Sequence, residues 1–189
     1  MKKKLLVLAA LLIGTSKLYA QGPPEMAGWS ETSQAAVREM VNKYGAPAET
    51  TPTMMVWYNN GPWVKTIVYK DAVPHSFPKE HNDVIQQWVG MKASEGKVDN
   101  LYQFDGSVVV ERTNGLISVR CHNEAANMLV MNIVNDVMSG TKTVINARDY
   151  LTKAMRRLEE NGTIDPYMQQ LNFKNNASAG DKDKVTITR

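Results

Sequence analysis

Cys121-His122 is the dipeptide that most invites chemistry, because a thiol with an imidazole in hydrogen-bond reach can act as a thiolate nucleophile. The chain has one cysteine, so an intramolecular disulfide is excluded and Cys121 is either catalytic or structural. Side chains alternate along a strand, so His122 is expected to point away from Cys121 unless the strand has ended there. A two-residue turn at Asn114-Gly115 pairs Val110 with Val119 and Val108 with Cys121, placing the thiol on an apolar face. Cys121 therefore reads as a buried structural residue. His75 and His81, with Glu80 and Asp83 beside them, lie on a proline-bracketed segment. Two imidazoles and a carboxylate are zinc or copper ligands by type, but a six-residue spacing lacks the helical logic of histidines at i and i+4. The third cluster is Trp57, Tyr58 and Trp63, where a turn at Asn60-Gly61 sets Tyr58 opposite Trp63. Candidate binding residues are thus Trp57, Tyr58, Trp63, His75 and His81. No catalytic residue, metal ligand or cofactor is assigned from the sequence, and an enzyme is not favoured. Met128, Met131 and Met138 continue an apolar helix stripe and read as core.

The elements that must position these residues follow from periodicity. Val37, Met40, Val41 and Tyr44 share a helix face over 32–44, stopped by Gly45 and Pro47. Two β-rich runs, 53–58 and 63–70, flank Asn59-Asn60-Gly61-Pro62. Residues 71–82 read as an irregular crossing, and Asp83 as the cap of a short helix whose Val84, Ile85, Trp88 and Val89 share a face. A turn of helix is expected near 98–104. Runs 107–112 and 116–121 flank a second Asn-Gly, and Asn123 and Thr143 cap two longer helices that end before Gly140 and Gly162. Two Asn-Gly hairpins, about four strands, packed with four to five helices make an α+β fold with an antiparallel sheet.

Four of the 22 Lys+Arg residues (Lys2, Lys3, Lys4, Lys17) lie in the first twenty positions, which hold no acid; the remaining 18 face 19 Asp+Glu. A near-neutral remainder gives no footprint for nucleic acid. Lys2–Lys4 followed by the apolar run 5–13 and Ala20 has the form of a cleavable signal peptide over 1–20. Nine apolar residues are too few to span a bilayer, and no cysteine follows to carry a lipid anchor. The expected product is periplasmic or extracellular. Residues 21–29 read as a flexible arm, 30–174 as a single domain and 175–189 as a disordered tail.

The strings Trp57-Tyr58-Asn-Asn-Gly-Pro-Trp63, Val73-Pro-His75-Ser-Phe-Pro78 and Asp105-Gly-Ser-Val-Val-Val-Glu-Arg112 resemble a group of uncharacterised exported bacterial proteins. The likeness runs from about Trp29 to Gly162 and brings no activity with it. Over residues 33–70, a helix closing on Tyr44-Gly-Ala-Pro47 before a hairpin carrying Trp57 resembles the core of small outer-membrane assembly lipoproteins. That likeness implies shape and not function. The leading expectation is a non-catalytic binding or interaction module of the cell envelope, its partner another envelope protein or an apolar small ligand. The alternatives are a metal-dependent or thiol enzyme using His75, His81 or Cys121, and a carrier of an apolar small ligand.

Overall fold

The computed structural model describes residues 25–188, so the leader assigned to 1–20 lies outside the described residues. Ser30 opens α1 (Glu31–Tyr44) by accepting from the Ser33 amide. Six strands follow in one antiparallel sheet: β1 (Glu49–Thr50), β2 (Met54–Asn60), β3 (Trp63–His75), β4 (His81–Gly90), β5 (Val109–Glu111) and β6 (Leu116–Cys121). Their spatial order is β1-β2-β3-β4-β6-β5. Between β4 and β5 lies α2 (Val98–Phe104); α3 (Glu124–Ser139) and α4 (Val144–Asn161) complete four α-helices among the described residues. Asn123 and Thr143 cap α3 and α4 by accepting from Ala126 N and Asn146 N. The α+β class stands, with six strands in place of about four.

The short helix expected from Asp83 is instead β4, the strand between β3 and β6. Val84, Ile85, Trp88 and Val89 fit a helix face, but a β-branched run buried on both sides reads the same way. Sheet pairing decided it. The expected irregular crossing is also mostly strand: β3 runs on to His75, and residues 76–80 reverse the chain through a cis Phe77–Pro78 bond. Both hairpin turns sit two pairing positions from the expected register. Asn60 pairs with Trp63 and Tyr58 with Lys65, while Val110 pairs with Ile117. A shift of two preserves which face each side chain takes, because the strand period is 2.

Among the described residues, helices cover one face of the sheet only. Met55, Val68 and Ile85 pack under Ala36, Val37 and Met40 of α1, and Val89, Ile117 and Val119 pack under Leu129 and Ile133 of α3. A buried polar seam lies where these two cores meet. Glu124, 2% exposed, accepts from Trp63 Nε1 (2.6 Å), Tyr44 Oη (2.7 Å) and Gln87 Nε2 (3.3 Å) and pairs with Lys43. On the other face, Lys65 Nζ lies 4.1 Å from the Trp88 ring centre and the Arg120 guanidinium 4.2 Å from that of Tyr69.

Residues 175–183 of the segment expected as a disordered tail are tied to the sheet. Asn176 N donates to Gly90 O (2.8 Å), Gly90 N to Asn175 Oδ1 (2.8 Å), and Arg112 pairs with Asp181 and Asp183. Gly115, at φ 67°, admits this strap: a Cβ there would stand 2.2 Å from Gly180 N.

Candidate metal centre

Strand pairing supplies what the six-residue spacing lacked. His75 at the end of β3 is the direct partner of His81 at the start of β4, and Val73 pairs with Asp83. A register break on β3 aims them. Before it, Val68 pairs with Ile85; after it, Val73 pairs with Asp83, so four residues of β3 (69–72) stand against Val84 alone. Three extra residues are an odd number. Even positions of β3 such as Thr66 and Val68 face the helices before the bulge, and odd ones do so after it. His75 thereby joins His81, Asp83 and Cys121 on the helix side.

The donor atoms crowd together. His75 Nδ1 lies 3.2 Å from Asp83 Oδ2, His81 Nε2 lies 3.0 Å from Asp83 Oδ1, and Cys121 Sγ lies 3.5 Å from His81 Nε2 and 3.3 Å from His122 Nδ1. Two nitrogens about 2.0 Å from a tetrahedral zinc stand about 3.3 Å apart, and a nitrogen and a sulfur about 3.5 Å apart. Two triads, His75/His81/Asp83 and His81/Cys121/His122, each have their ligand atoms within 4.8 Å of one another. His81 is common to both.

Asp83 separates the two. It is 4% exposed, yet its Oδ1 makes no hydrogen bond, and neither does the buried His75 Nδ1. These atoms are close to their neighbours without being aligned on them. Cys121 Sγ and His122 Nδ1, by contrast, already satisfy each other. An outer group orients the His81 imidazole. His81 Nδ1 donates to Lys79 O (2.7 Å), and a carbonyl can only accept, so the neutral ring leaves Nε2 free as a ligand. The Asp105 carboxylate, 3% exposed, stands 3.9 Å from His75 Nε2.

Charge follows from these contacts. The Asp83 carboxylate, then Cys121, push His81 up to about 11, so without a bound cation the ring carries a proton at neutral pH. Burial pushes the Cys121 thiol up, against the pull of His81, and burial pushes His122 down. A thiol held protonated is a poor nucleophile.

A cavity of about 160 Å³ opens beside the centre between the 76–80 reversal, α3 and α4, lined by His75, His81, Cys121, His122, Asp105 and Arg120 together with Phe77, Val130, Leu151 and Met155. His122 did not turn away from Cys121, because β6 ends at Cys121 and alternation no longer applies. Asp105 was missed; it closes α2 as its C-cap, and only the fold brings it to His75. The aromatic candidates part company. Trp57 is buried with its indole donating to Gly45 O (2.9 Å), Trp63 is buried on Glu124, and Tyr58 is 49% exposed with its hydroxyl on Glu49. No helix among the described residues is long and apolar enough to cross a membrane. No protein-family model, curated protein or solved structure matches the chain.

Proposed function

We propose that the protein is an exported metal-binding module holding one zinc-class transition-metal ion through His75, His81 and Asp83. The observation that carries this reading is the convergence of the buried Asp83 carboxylate with two imidazole nitrogens, 3.0 Å from His81 Nε2 and 3.2 Å from His75 Nδ1, with the His81 ring oriented from behind. Without a metal the protonated His81 ring is the partner of this carboxylate; a cation would replace that proton and be held by the carboxylate and both imidazoles. Zinc fits a mixed nitrogen and oxygen donor set with no demand for a particular d-electron geometry. Export rests on the lysines and apolar run of residues 1–20.

The test is a zinc titration of chelator-stripped protein against a competing chromophoric chelator. One ion per chain is expected, with an apparent Kd at or below about 1 µM. His81→Ala and Asp83→Asn are each expected to weaken it by about 100-fold or more. Absence of zinc binding, or a His81→Ala variant that binds as tightly as the parent, would refute the reading.

A further inference from the structure

We infer that the cavity beside the metal centre receives a small monocarboxylic acid, its carboxylate on the bound ion and its hydrocarbon body against Phe77, Val130, Leu151 and Met155; this rests on the metal reading above. The cavity is lined by polar and apolar side chains together, among them His75 and His81 of the proposed ligand set; Asp83 lies outside its lining. A donor reaching the ion past these two imidazoles would lie in this space. Three protein ligands leave a tetrahedral zinc one open position, which an anionic oxygen donor can take; Arg120 in the lining adds a positive charge, against the Asp105 carboxylate 3.9 Å from His75 Nε2.

The walls are fixed. Val130 and Leu151 are 5% and 2% exposed, and the Arg148 guanidinium lies 3.6 Å from the centre of the Phe77 ring. Lys79 and Glu159 pair at 2.9 Å, joining the 76–80 reversal to α4 beside the opening. At about 160 Å³ the space is close to that of an apolar cavity of about 150 Å³ known to take up benzene. A body of roughly five or six carbons fills it.

The experiment is calorimetry on the full mature chain, loaded with zinc and with its zinc content measured, titrated with acetate, butyrate, hexanoate and decanoate. Each added methylene is expected to tighten binding about threefold to fourfold until the cavity is full. Hexanoate should exceed acetate by at least about tenfold, decanoate should gain little more, and the zinc-free chain should show none of this. Val130→Phe fills the cavity and should cost hexanoate about tenfold with zinc affinity unchanged. Met155→Trp serves the same purpose should the first variant melt early. A flat chain-length series on zinc-loaded protein, or space-filling variants without effect, overturns the inference and leaves the metal reading standing. Equal hexanoate binding without zinc overturns the metal-anchored pose. Failure to load zinc overturns both.

Discussion

Cys121 shows how neighbours a strand diagram omits change the energetics of one side chain. An entirely apolar pocket would make Cys121→Ser cost about 1–3 kcal/mol, the range for a poorly satisfied buried polar group. Sγ instead touches two imidazoles, at 3.5 and 3.3 Å, and a serine hydroxyl would find the same partners. Thermal melts are therefore expected to place the Ser variant within about 1 kcal/mol of the parent. A larger loss would mean that His122 does not hold this position in solution. Glu39 makes a pH-dependent prediction. Burial, with the nearby Glu124 charge adding to it, raises its carboxyl above the ordinary 4.5, although the Glu124 amide that donates to it pulls the other way. The folded state thus binds the proton more tightly than the unfolded one, and stability falls as pH rises from 4.5 through the raised value. Glu39→Gln keeps an acceptor for that amide and removes the charge. Its melting temperature should exceed the parent's at pH 7, and the gap should close near pH 4. An equal gap at both pH values would assign the effect to packing.

Among the elements, α3 and α4 were legible because each carries an amphipathic stripe between a capping residue and a glycine stop, Asn123 and Gly140, Thr143 and Gly162; α1 was legible from its stripe and the Gly45 stop, its Ser30 cap going unread. The strand β4 was not. Its apolar residues occupy both faces, and a period cannot be read where both alternating sets are buried. That misreading hid the candidate metal centre, since His81 as a loop residue has no fixed partner, whereas His81 as a strand residue lies opposite His75. Histidine and aspartate were visible as ligand types; their convergence depends on a bulge that no residue in 69–72 announces. The strap was also illegible, because Asn, Gly and Asp there bond to backbone and charge and bury almost no apolar surface apart from Ala179. Gly115→Ala puts a methyl group against Gly180 in a left-handed conformation, and should cost about 1–3 kcal/mol and expose 176–183 to proteolysis. Unchanged protease resistance would show that the strap is not held at Gly115. Glu124→Ala, which strands the Trp63, Tyr44 and Gln87 donors, should cost about 3 kcal/mol in denaturant titrations.

For the molecule as a whole, a site assembled on an already paired sheet predicts a protein that folds without metal and is stabilised by it through mass action. Free zinc at 100 times Kd should add about 2.7 kcal/mol to the unfolding free energy, read as a raised melting temperature that His81→Ala lacks. A chain that unfolds on chelation would contradict this. The bulge at 69–72 carries a further consequence, because it works as slack in a tape: a change of length there is absorbed before it reaches the ligands. Removing one residue from it, for instance Ala72, leaves two extra residues where there were three, and His75 can still pair with His81 on the helix side. Removing Pro74, beyond the slack, sets His75 against Asn82 and turns it to the face away from the helices. The second deletion gives a protein with every ligand present and the geometry withdrawn, a control that no ligand substitution provides. Across related chains, small insertions and deletions within 69–72 would be silent for this site, while a single-residue change of length between Val73 and His75 would switch it off.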